Sequence, residues 1–338
     1  MNRLISHLLN LSMLAIIIFS LIACDDKNLI TEPESSNLKS ALEKITYSDE
    51  ALNSFIPNYN EEQALSLVSS QLGKTLYPIK VGHVVNLKER TLQIDYGTDT
   101  ALGLLTLKFE GDLIIIGSFT DNNKSIPDTV VKKPFTSIIT RKIKYARIDS
   151  TGDNLVDWKV VGSSLPAGGT ETSNIEITKV TLKTLDGKTV TITSPNDFFF
   201  DFGRGYGLLR DTSNTNMHNS GNGKHGKVKM NDLMPFLGRK QPVTVTVEVK
   251  SIYEKPDFLT LTHGAMVNAG MYRTKEKFEL KDTQFDGTYY IRTYEKTWVT
   301  HLHPGFMHAV INLLPDNSIT DTDFQVEEKT WGIPYAVK

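Results

Sequence analysis

Between residues 242 and 251 the chain reads Pro-Val-Thr-Val-Thr-Val-Glu-Val-Lys-Ser, and no other stretch constrains its fold as tightly. Successive side chains of a strand point to opposite faces. Val243, Val245, Val247 and Val249 therefore share one face, and Thr244, Thr246, Glu248 and Lys250 share the other. A helix would scatter these valines around its circumference and would freeze their β-branched side chains. The stretch is a half-buried strand that needs antiparallel neighbours of the same period.

Such neighbours recur along the chain. Ile79, Val81, His83, Val85 and Leu87 alternate with Lys80, Gly82, Val84 and Asn86; Lys88-Glu89-Arg90 is expected to turn the chain into Leu92, Ile94 and Tyr96. Leu105, Leu107 and Phe109 lead toward the apolar Leu113–Ile116, and Ile143 and Tyr145 lie between lysines. Asp149–Asn154 reads as a turn into Val156, Trp158 and Val160. Farther on, Asp186-Gly187 and Asp286-Gly287 are hairpin-turn signals, and Met307, Ala309, Ile311 and Leu313 line one side of a late strand.

Helical spacing is confined to the region before residue 73. Leu38, Leu42 and Ile45 share a face, Ser48-Asp49-Glu50 has the character of a helix start, and Glu61–Leu72 carries Ala64, Leu65, Val68 and Leu72 on one side. Short helices followed by long hairpins and a Trp-containing strand over 38–165 resemble the nuclear-transport-factor-like cone fold. The resemblance lies in element order. It implies a cavity that binds a small molecule or a non-catalytic module, and His83 is the histidine on an apolar strand face there. A lone histidine in that setting reads as a core residue with a backbone partner. Pro166-Ala167-Gly168-Gly169-Thr170 breaks the composition and is expected to separate this α+β domain from a second, at 170–338. The second half has many short strands between Gly and Asp turns, which predicts an immunoglobulin-like β-sandwich, so the fold class is mostly β.

The N-terminus carries a different kind of signal. Arg3 is followed by an apolar run from Leu8 to Leu21, too short to span a bilayer, and by Leu21-Ile22-Ala23-Cys24. These four residues resemble the lipobox of bacterial lipoproteins. The resemblance implies cleavage after residue 23, acylation of Cys24 and attachment to a membrane of the cell envelope, on the periplasmic face or at the cell surface. Cys24 is the only cysteine, so no disulfide competes for it. Residues 24–37, polar and interrupted by Pro33, read as a flexible tether.

The formal charge of −2 leaves no basic excess to neutralise phosphates, which argues against a nucleic-acid partner. His301, His303 and His308 are the candidate ligands for a divalent metal, since histidines two apart on a strand share a face. The glycine-spaced stretch 203–229 is a candidate binding loop, with Arg204, Tyr206, Asn216 and His218 as contact residues. Its Gly203, Gly205 and Gly207 do not form a dinucleotide fingerprint. Asp149–Asn154 lacks the closing glutamate of a calcium loop, and Trp158, Trp298 and Trp331 read as core residues. The chain contains no GxSxG, HExxH or P-loop motif. The expectation is a lipid-anchored module that binds an envelope protein or a glycan. The alternative is a metal-dependent, hydrolytic envelope protein built on His301, His303 and His308.

Overall fold

Three strands of unusual length, β1 (Tyr77–Tyr96), β2 (Thr100–Ser118) and β3 (Thr129–Arg147), pair antiparallel over nearly their whole extent. They belong to a computed structural model that describes residues 32–49, 52, 76–119, 129–147, 158–201, 236–266 and 274–337. Lys88–Arg90 does not turn the chain. The register slips between Leu87 and Glu89, and β1 runs on through a bulge. The extra residue shifts the phase of alternation, so odd-numbered Val81, His83 and Val85 and even-numbered Leu92 all turn inward.

The remaining strands are β4 (Trp158–Ser164), β5 (Ala167–Gly169), β6 (Ile175–Thr184), β7 (Thr189–Ile192), β8 (Phe199–Asp201), β9 (Phe236–Leu237), β10 (Pro242–Ser251), β11 (Phe258–Met266), β12 (Thr274–Lys277), β13 (Glu279–Phe285), β14 (Tyr290–Val299), β15 (Gly305–Leu314) and β16 (Lys329–Val337). The large sheet has the order β1-β2-β3-β5-β16-β15-β11-β12, with β4, β8 and β9 attached at its flank, and curls into a half-barrel. A second sheet has the order β13-β14-β10-β6-β7. The architecture is mostly β and, apart from the short parallel contact of β9 with β16, its pairings are antiparallel.

The Pro166–Thr170 stretch, expected at a domain boundary, holds β5, which bonds to β3 on one side and β16 on the other. Its glycines serve close backbone approach. A Cβ on Gly168 would lie 1.9 Å from the Ile138 carbonyl oxygen, and one on Gly169 would lie 2.0 Å from that of Glu328.

β15 and β16 are buried on both faces. Met307, Ala309, Ile311, Trp331 and Ile333 pack in one core with Val243, Val245, Val247 and Val249 of the second sheet. On the other face Val310 meets Phe109 and Ile139, and Leu314 packs with Val81, Leu113, Ile115 and Phe135 inside the curl. A strand read as one-sided is therefore two-sided, because the curl wraps over the face that an open sheet would leave to water.

A helix, α1 (Glu32–Ser48), covers one end of the curl with Leu38, Ala41 and Leu42 buried, as its spacing predicts. Thr46 donates to the Leu42 carbonyl and accepts from the Tyr145 hydroxyl at 2.5 Å. Asp49 caps the next turn by accepting from the Leu52 amide at 3.0 Å. Because α1 starts at Glu32, six positions assigned to the tether are helical. A short helix, α2 (Asp316–Thr320), closes the other end, with Ile319 buried against Val81 and Leu113. Lys133 reaches it from β3, donating to the Ser318 and Asp321 carbonyls at 2.9 Å each. Cys24, the Glu61–Leu72 segment, the Asp149–Asn154 turn and the 203–229 loop with Arg204, Tyr206, Asn216 and His218 lie outside the described residues.

Candidate functional site

The three candidate metal ligands are not assembled. His301 and His303 stand together in the bend before β15, with ring centroids 5.1 Å apart and the His303 amide donating to His301 Nδ1. His308 sits on β15 at a position that points into the curl, and only 1 % of it is exposed. Burial, with the Arg141 charge beside it, pushes its pKa down to about 3. The bend and the strand phase send the third histidine away from the first two. Among the described residues no three His, Cys, Asp or Glu side chains are placed to share a metal ion.

Instead, the exposed pair lies near a cluster that the sequence did not reveal. His263 of β11 places Nε2 3.1 Å from Glu276 Oε1 of β12, and Glu276 in turn pairs with Lys296 of β14. The His263 ring stacks on Trp298 of β14, with centroids 5.7 Å apart and planes inclined by 30°. Trp298 also approaches Tyr335, whose hydroxyl accepts from the Gly264 amide. Burial pulls the His263 pKa down and Glu276 opposes it; Lys296 and His301 add to the lowering. Burial pushes the Glu276 carboxyl up, but hydrogen bonds from Lys296 and His263 outweigh it and hold the pKa below the usual range. The cluster bridges the edge of the large sheet to the second sheet.

Inside the curl lies another polar group. His83 is buried as its apolar strand face implies, with Glu328 3.9 Å from its Nε2 and an edge-on contact to Phe135. Asn312 donates to Glu328 and to Thr330 at 2.7 Å each, and Thr330 donates to Glu328. Burial, with the Lys275 charge adding to it, holds His83 well below the ordinary histidine pKa. Neutral imidazole is thus the resting form of both interior histidines. Trp158, Trp298 and Trp331 are all buried, in line with a core role.

One feature faces solvent. β13 ends the second sheet, and all seven of its residues are exposed on both faces. Leu280 lies opposite Tyr294 and Phe285 opposite Tyr290, which places Leu280, Phe285 and Tyr290 on the side turned toward the large sheet. The hairpin overhangs that sheet, so this side is uncovered: Leu280 is 40 % and Phe285 58 % exposed. The Phe285 and Tyr290 rings are 4.7 Å apart, and the Arg292 guanidinium lies 4.9 Å from the centre of Tyr290. Arg292 is itself fully buried, donating to Asp257 at 2.7 Å and to the Tyr253 and Glu254 carbonyls at 2.6 Å. The apolar shelf is therefore fixed to the contact between the two sheets.

These arrangements suit contact better than bond-making. The interior histidines are enclosed, the His263 group joins two sheets, and the shelf offers apolar area to a partner. Comparison with protein-family models, with curated proteins and with solved structures finds no match to this chain.

Proposed function

We propose that the chain is a lipid-anchored module of the bacterial cell envelope that works by binding a partner protein through the overhanging β13–β14 hairpin. The shelf of Leu280, Phe285 and Tyr290 carries the binding reading. Covering a leucine and a phenylalanine side chain contributes roughly 1.5–3 kcal/mol each when burial is complete, and about half of each is open here. The bare backbone edge of β13 is a poorer contact. A bulge lies between Leu280 and Asp282, and Glu279, Lys281 and Asp282 place charges along it, the usual protection against strand addition. Self-pairing about a two-fold axis centred on the strand would set Lys281 or Asp282 against its own copy. A foreign partner is favoured.

The anchor rests on Leu21-Ile22-Ala23-Cys24. With α1 starting at Glu32, the seven residues 25–31 can span at most about 25 Å between Cys24 and the helix. Packing of the valine face of the second sheet against β15 and β16 supports the finer fold reading, an α+β module followed by an immunoglobulin-like sandwich.

A photoreactive phenylalanine placed at Phe285 of the full chain in cells tests the binding reading, with the same group at Leu185 as an exposed control on the distant β6–β7 turn. The expected result is a discrete cross-linked species from 285 alone, abolished by Leu280→Lys. The same cross-linking pattern from 285 and 185 would end the reading.

A further inference from the structure

We infer that His263 is a proton-operated latch on the β12–β13 segment and so regulates whether the open shelf is held in place. This rests on the binding reading of the hairpin given above and adds a control to it. β12 and β13 are consecutive, joined by buried Phe278, whose amide donates to the Leu259 carbonyl. β12 has four residues and a single strand partner among the described residues, β11. Beyond that ladder and Phe278, Lys277 lies over the Phe258 ring, and Glu276 ties the strand to His263 within its own sheet and to Lys296 in the other.

The charges around the imidazole set the direction of the response. Glu276 faces it from β12, Lys296 and the Trp298 ring from β14, His301 from the bend before β15, and the Tyr335 hydroxyl sits beside it on Gly264. Lys296 already neutralises Glu276. A proton on His263 therefore makes a mostly buried three-group cluster net positive, and the neighbouring His301 also opposes that proton. The neutral ring meets no such opposition: Nε2 donates to Glu276 and the ring face lies on Trp298. Its lowered pKa in the closed form agrees with this, since a group that binds its proton more weakly when closed must open on protonation. Opening would free β12, and with it the strand that carries Leu280 and Phe285.

Hydrogen exchange on the full chain, without partner and corrected for the intrinsic pH dependence of exchange, tests the latch. Between pH 6.5 and 5.5 the open population of residues 274–285 should rise by up to about fivefold, the limit for one proton taken up by a freed histidine that is half protonated at pH 6.5, while β10 and β15 keep their protection. His263→Gln retains a donor toward Glu276 and cannot be charged, so its segment should keep its protection. If β10 also loses protection in that variant, His301→Gln replaces it: removing one facing charge should weaken the acid-driven opening and move it to lower pH. An unchanged transition in His263→Gln, or in His301→Gln where that variant is needed, would overturn the latch. So would equal loss across all strands. Because no partner is present, neither result bears on whether the shelf binds one.

Discussion

Removing one partner of the Arg292–Asp257 pair is the most demanding test of how the two sheets are joined. Both side chains are fully enclosed, with the guanidinium on Asp257 at 2.7 Å and on the Tyr253 and Glu254 carbonyls. Ser251 donates to the other carboxylate oxygen at 2.9 Å, and the Tyr294 hydroxyl accepts from the Asp257 amide at 3.0 Å. Arg292→Met leaves a buried carboxylate without its counter-charge, and Asp257→Leu leaves a buried guanidinium. Each should cost about 3–5 kcal/mol, while replacing both with apolar residues should cost far less than the sum. The expected coupling is at least about 2 kcal/mol, read from urea unfolding of the four proteins in a double-mutant cycle. The pH dependence gives a second check. Burial pushes the Asp257 carboxyl up even with Arg292 beside it. Without Arg292 it rises further, and a group that binds its proton more tightly when folded regains stability as pH falls. The Arg292→Met deficit should therefore shrink on acidification by up to about 1.4 kcal/mol per pH unit. Single substitutions costing under about 1 kcal/mol, or strictly additive costs, would refute the reasoning.

Four other substitutions have defined outcomes. Burial and the Arg141 charge hold the His308 pKa at about 3 in the folded chain, against 6.5 for an ordinary histidine, so its contribution is complete above pH 6.5. That contribution is lost as pH falls toward 3, at about 1.4 kcal/mol per pH unit, and His308→Asn should flatten this limb of a stability–pH curve. Gly168→Ala drives a methyl to 1.9 Å from a carbonyl oxygen and should cost at least about 2 kcal/mol in a thermal melt. Gly187→Ala has nothing within 4 Å and should cost only the roughly 1–2 kcal/mol of its left-handed conformation. Thr46→Val removes the acceptor of the buried Tyr145 hydroxyl and should lower stability by about 1–3 kcal/mol, with loss of protection concentrated in α1.

What could be read from the sequence was local. Alternation located β10, β3 and most of β1, and Leu38, Leu42 and Ile45 marked the buried face of α1. Asp186-Gly187 announced a turn that the structure contains, with Gly187 at φ 81°. Pairing between distant segments left no such trace. β5 joins β3 to β16 across more than 150 residues, and the only hint was two glycines that read equally well as a boundary. Leu113–Ile116 and the even positions of β15 looked like parts of short or one-sided strands because the curl that buries them is a property of the whole sheet. The site followed the same rule. His301 and His303 were visible as a pair because they are neighbours in sequence. His263, Glu276, Lys296 and Trp298 come from three strands, and the buried pairs Arg292–Asp257 and His83–Glu328 likewise join remote residues.

The envelope setting on which the binding reading depends hangs on Cys24. The direct test is the mass of the N-terminal peptide of the protein recovered from cell membranes. A peptide that begins at Cys24 and carries acyl chains is the predicted result. A chain that keeps residues 1–23, or begins elsewhere with an unmodified residue, would contradict the anchored module.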